Sequence, residues 1–102
     1  MSRRRRTRSV IPELNLRAKS FVGGESLQQE VEGYLDRFLR PHLYRDRVVL
    51  RIVVGKGVNS ATYIQGRNPL RYYTEQYLRR LNLSYRSGQL WEGQEGVIIV
   101  EW

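Results

Sequence analysis

One stretch constrains this chain more than any other: the β-branched run Arg47-Val48-Val49-Leu50-Arg51-Ile52-Val53-Val54, which exits through Gly55-Lys56-Gly57. Branching at Cβ favours extended backbone, and apolar residues at nearly every position predict a strand covered on both faces for most of its length. Gly55 and Gly57 permit positive φ and leave their N–H groups open, while Lys56 between them supplies a cation for a phosphate. The spacing is neither Gly-x-Gly-x-x-Gly nor Gly-Lys-Ser/Thr, so a nucleotide loop is not indicated, and a plain tight turn explains the same glycines without a ligand.

The flanking segments have clear periods. Glu13-Leu14-Asn15-Leu16-Arg17 alternates as a short strand with one covered face, and residues 18–25 form a loop containing Gly23-Gly24. Ser26 and Gln29 make a capping-box pattern. Leu27, Val31, Tyr34, Leu35 and Phe38 then share one helical face, in a helix from about Ser26 to Arg40 that Pro41 stops. Asn68 as N-cap and Pro69 in the first helical position open a second helix. Its apolar face is Leu70, Tyr73, Tyr77, Leu78 and Leu81; the other face carries Arg71, Tyr72, Glu75, Arg79 and Arg80, with Glu75 and Arg79 spaced to pair. Leu83 to Arg86 reads as a short strand, Ser87 to Gly96 as a loop, and Val97 to Val100 as a buried closing strand.

That order predicts an α/β fold: a two-layer β-α-β-α-β-β sandwich, a mixed four-stranded sheet with two helices on one face. Right-handed crossovers make the first three strands parallel, so the loops after the first and second leave the same carboxyl edge, where open α/β sheets place ligands. Asn15, Arg17, Lys56, Asn59, Arg67 and Arg71 are thereby expected on one rim, over the backbone of Gly55 and Gly57, as a phosphate-binding surface.

Charge points the same way. The chain carries 18 Lys and Arg against 10 Asp and Glu, a net +8, and 16 of the cations are Arg. Arg3, Arg4, Arg5, Arg6 and Arg8 fall in the first nine residues with no acid among them, a block that has nothing to bury and is expected to be a disordered arm, residues 1–9, preceding one domain, residues 10–102. Guanidinium engages phosphate in a planar, bidentate way, so RNA or structured DNA is the expected partner. There is no Cys and one His, His42, which excludes thiolate and His-cluster metal sites; no metal and no cofactor are expected. No apolar stretch approaches the roughly 20 residues of a membrane span, and Val10-Ile11-Pro12-Glu13 after the Arg block is not a signal-peptide core, so no membrane association and a cytoplasmic location are expected. Tyr34, Tyr73 and Tyr77 read as core, Tyr63 and Tyr72 as candidates to stack on a base, and Trp91 and Trp102 as covers for the sheet.

Leu14-Asn15-Leu16-Arg17, the amphipathic helix from about Ser26, Gly55-Lys56-Gly57-Val58-Asn59-Ser60, the helix start Asn68-Pro69-Leu70-Arg71 and Gly96-Val97-Ile98-Ile99-Val100-Glu101 follow in order the landmarks of the small MutS-related (Smr) domain, which residues 10–102 resemble. The resemblance implies the same two-layer fold, nucleic-acid binding and, in several members, endonuclease activity on branched DNA or on RNA at ribosomes. The family's first motif is Leu-Asp-Leu-His-Gly or Leu-Asp-Leu-Arg-Gly, and its second is His/Thr-Gly-x-Gly, often followed by His-Ser. Here Asn15 stands for the Asp, Arg17 for the His, Ala18 for the Gly, Val54 for the first His of the second motif and Asn59 for the later one. The carboxylate and imidazoles that could move a proton are missing, while the cations remain.

The residues therefore favour a binding module that grips RNA or structured DNA, near the ribosome or a repair or recombination intermediate. An Smr-type endonuclease is the alternative, with Arg17 and Lys56 stabilising charge on the scissile phosphate and water activated by Glu13 or by magnesium. A small ribosome-associated structural protein is a third reading. Deleting residues 1–8 should leave the melting temperature unchanged and make the slope of log affinity against log salt shallower by up to about 0.7–0.9 per lost contact. An unchanged slope would reduce the arm to a solubility device.

Overall fold

The structure, a computed structural model, describes residues 11–55, 68–89 and 96–102. Its elements are β1 (Glu13–Asn15), α1 (Leu27–Leu39), β2 (Val49–Val53), α2 (Pro69–Arg80), β3 (Tyr85–Ser87) and β4 (Val97–Glu101). One four-stranded sheet has the order β1-β2-β4-β3, with β1 parallel to β2 and β4 antiparallel to both β2 and β3. Strands one to three thus run the same way and the last is inserted between the second and third. This is the mixed α/β sheet expected.

Which strand is doubly covered differs from expectation. Along β2 burial alternates: Leu50 and Ile52 are fully buried, while Val49 is 37% exposed and Arg51 and Val53 are half-buried. It is β4 that is buried on both sides, from Val97 through Val100. The cause is topological: β4 is central, and Arg51 and Arg86 flank Ile99 in register on the helix-free face, where Arg stems can lie over apolar neighbours. Apolar composition alone cannot separate a strand with one covered face from a strand with two.

The core lies between the other sheet face and the helices. Leu14, Leu50, Ile52, Ile98 and Val100 from the sheet meet Val31, Leu35 and Leu39 of α1 and Leu78 of α2. Each such fully buried Leu or Ile contributes roughly 1.5–3 kcal/mol relative to an exposed one. The helices are joined at their polar margins by an ion pair of Arg80 Nη2 with Glu32 Oε2 at 2.5 Å, and Arg80 also lies over the Tyr77 ring. Burial opposes ionisation of Glu32, but hydrogen bonds from Arg80 and Gln28 outweigh it and hold its carboxyl below the usual value.

Several boundaries are corrected. The first strand stops at Asn15 instead of Arg17, because Asn15 Oδ1 accepts the Arg17 N–H at 3.0 Å and turns Leu16–Ala18 into one 3-10 turn. The expected capping box is not formed: Ser26 is in helical backbone and its hydroxyl donates to Gly23 O and to the Glu30 carboxylate. After α2, Leu81 is 38% exposed, Asn82 takes φ 59, and Leu83 N bonds Leu78 O, so the chain leaves the helix before β3, which runs Tyr85–Ser87 instead of Leu83–Arg86. Thr74, unremarked in the sequence, is fully buried and satisfies its hydroxyl by donating to Leu70 O at 2.6 Å.

Asn68 caps α2 as expected, accepting from Leu70 N and Arg71 N, and its Nδ2 also donates to the carbonyls of Val54 and Gly55 at 3.1 and 2.8 Å. One side chain ties the end of β2 to the start of α2. Asn68→Ala should cost about 1–3 kcal/mol, from a lost cap and two orphaned carbonyls. Asn68→Asp retains the cap and loses the donor, so in urea melts it should remain well below the parent; parity with the parent would show that the carbonyl contacts contribute nothing.

Candidate nucleic-acid interface

Because β1, β2 and β3 are parallel, their carboxyl ends share one edge with the N-termini of both helices and the start of β4. Arg17 reaches this edge from the turn after β1. Leu16 in that turn is fully buried and pins it, the Asn15 amide shapes it, and Arg17 is left exposed. The guanidinium stem then lies across Gly55, which has φ 77: a Cβ there would meet Arg17 Cδ at 2.1 Å. The glycine is needed twice, for its left-handed backbone and for the space Arg17 occupies. No carboxylate among the described residues pairs with Arg17.

Arg71 reaches the same edge but is not a free cation. Its Nε donates to Glu75 Oε2 at 2.8 Å and its Nη2 to Ser87 Oγ at 2.5 Å, fastening α2 to the end of β3. The expected Glu75–Arg79 pair is the longer one, at 3.7 Å. Arg71 therefore brings a partly neutralised charge to the rim. Tyr72 is half-buried with its ring edge-on to Tyr73 at 5.4 Å.

The loop between β1 and α1 adds a cation that pattern reading missed. Lys19 Nζ lies 5.7 Å from the Tyr34 ring centroid, Arg37 lies 5.2 Å from it, and Phe21 meets the ring edge-on. The Tyr34 ring packs against the core as expected, and its hydroxyl donates to Ser20 O, so it also holds the loop. The one available signal was the i, i+2 spacing of Arg17 and Lys19 beyond the first strand. Glu30 fastens the other end of the loop, accepting from Ser26 Oγ and from the N–H groups of Val22 and Gly23. The Ser26 hydrogen bond, then that of Val22, holds its carboxyl below the usual value, so the clamp is fully present above the ordinary Glu range and is lost as pH falls through the lowered one.

The acid–base groups that the sequence offered lie elsewhere. Glu13, offered by the sequence as a water-activating base, sits at the amino start of β1 and pairs with Arg51 across the open sheet face, away from Arg17. His42 lies at the opposite end of the sheet against Phe38. Among the described residues no three His, Asp or Glu side chains cluster to hold a metal ion, and no helix is long and apolar enough to cross a membrane. Lys56, Gly57, Asn59 and Arg67, with Arg3, Arg4, Arg5, Arg6, Arg8, Tyr63 and Trp91, lie outside the described residues. The Gly55 N–H, expected to be open, is not: it donates to the Gly96 carbonyl at 2.9 Å, so what the described part of the rim offers an anion is cations.

The family model for the Smr domain matches residues 25–102. The match begins after the first motif, where Asn15 and Ala18 depart from the family pattern. No curated protein and no solved structure matches the chain.

Gly55→Ala should cost on the order of 1–2 kcal/mol for the left-handed backbone alone, and should also push Arg17 off its seat. In a double-mutant cycle with Arg17→Ala, the steric part disappears, giving a coupling of at least about 0.5 kcal/mol. Strict additivity in denaturant titrations would mean that Arg17 does not rest on Gly55 in solution.

Proposed function

The chain belongs to the Smr domain family, and we propose that it acts there as a module that grips the phosphates of RNA or structured DNA without cutting them, in ribosome rescue or in DNA repair and recombination. The observation that carries this reading is Arg17: an exposed guanidinium, unpaired among the described residues and seated on a glycine at the edge where three strands end and two helices begin. A planar fork at such a position can take a phosphate bidentately. Lys19 and the partly neutralised Arg71 widen the same surface, and in this reading Lys56, Asn59, Arg67 and the Arg-rich arm extend it.

The chemistry for cleavage is thin by comparison. Asn15 cannot take a proton as the family's carboxylate could, and its oxygen is occupied by the Arg17 N–H. Glu30 and Glu75 are both bound by donors, and Glu13 is held by Arg51. Binding is what these groups support.

The test is incubation of the full chain with labelled single-stranded RNA, duplex DNA and four-way-junction DNA, with and without magnesium. Retention without strand scission is expected, with Arg17→Ala binding more weakly and showing a salt slope shallower by about 0.7–0.9. Magnesium-dependent scission abolished by Arg17→Ala would replace the binding module with an endonuclease.

A further inference from the structure

The end of the sheet opposite the rim carries a second concentration of cationic and aromatic chemistry. Between the 3-10 turn Arg40–His42 and β2 the chain reads Leu43-Tyr44-Arg45-Asp46-Arg47. Tyr44 keeps 90% of its surface in water, with Leu43, Arg45 and Arg47 also exposed. Neither Arg45 nor Arg47 pairs with a carboxylate among the described residues, whereas Arg40, Arg51, Arg71, Arg80 and Arg86 each do.

Exposed as it is, the segment is held in place. Trp102 Nε1 donates to the Arg45 carbonyl at 2.9 Å, and Val48 and Trp102 exchange backbone hydrogen bonds at 2.7 and 3.0 Å. Arg47 is at φ 57, a conformation that costs any residue with a Cβ and persists only where the surroundings impose it. The segment borders a groove of about 400 Å³ whose lining includes Ile11, His42, Arg45, Asp46, Arg47 and Val49.

A solvent-facing phenol ring on a fixed backbone, two guanidinium groups that flank Asp46 without an ion pair to it, and a partly apolar hollow supply what an unpaired nucleotide needs: a π face, phosphate contacts and a place for the base edge. The net charge of +8 favours a polyanion with bases over a peptide with a few acids. We infer that this pole is a second nucleic-acid contact, a stacking platform for an unpaired segment of RNA or DNA. Eight residues of extended chain separate Arg47 from Gly55, so the platform and the rim lie ~25 Å apart and one domain holds two parts of one nucleic acid. The inference rests on the nucleic-acid reading of the chain but on residues that reading does not use.

The experiment is fluorescence anisotropy of labelled oligo-U, oligo-dT and a blunt hairpin duplex with the full chain, Tyr44→Ala, the pair Arg45→Gln and Arg47→Asn, and Arg17→Ala. Asn at 47 tolerates the left-handed backbone. Tyr44→Ala should weaken single-strand binding at least about five-fold, the lower bound for one lost stack, with duplex binding and melting temperature unchanged. The Arg pair variant should make the single-strand salt slope shallower by ~0.7 per contact. A loss equal on oligo-U and oligo-dT supports a platform for either strand, and a loss confined to one names the source. If Tyr44→Ala and the Arg pair variant bind single strands like the parent while Arg17→Ala is impaired, the second contact is overturned and the rim stands. Equal weakening of duplex and single strand by Tyr44→Ala overturns the stacking role. Failure of the parent chain to bind any of the three probes overturns both readings.

Discussion

Two residues at the end of β2 have all four of their backbone groups accounted for by just two partners. The N–H groups of Val54 and Gly55 both donate to the carbonyl of Gly96, which leads into β4, and their carbonyls both accept from the Asn68 amide, which caps α2. Both residues are buried, so each unmade bond there would carry a desolvation cost of about 1–3 kcal/mol. This closed set of hydrogen bonds locks the last strand, the second helix and the central strand at one point. The surface on which Arg17 rests is rigid for that reason, and a rigid seat reduces the ordering cost of presenting a cation to a ligand.

How far the amino-acid pattern reached this arrangement depends on the range of the determining interaction. Asn68-Pro69 marked the start of α2 because a cap is a local matter of three residues, and the order of strands and helices led to the parallel ends of β1 and β2. Gly55 announced its positive φ, but nothing in its neighbours says that a side chain 38 positions earlier fills the space above it. Ser26 and Gln29 matched a capping box, yet Glu30 won the serine by offering a charged acceptor that also satisfies two loop N–H groups.

Arg71 shows the same limit on the functional side. Its position at the rim followed from helix geometry, but its hold on Ser87 depends on where β3 ends, which local pattern placed one residue too early. The pole at Tyr44 has no such signal in the sequence, because a segment between a helix stop and a strand start has no period to read. Only burial and the Trp102 contact distinguish it from an ordinary surface turn.

The second helix also gives the molecule an electrical direction that no titration can remove. Its first turn contains no acid, while its last carries Arg79 and Arg80. The negative end of its peptide dipole is thus screened by side chains and the positive end, roughly half an elementary charge, is left facing the rim. The first helix is arranged the other way, with Glu30 in its opening turn. A polyanion approaching this edge therefore meets two helix ends of unequal dipole field, stronger at α2 than at α1, beside the full charges of Arg17 and Lys19 on the β1 loop, and that asymmetry favours one orientation of an incoming strand over its reverse.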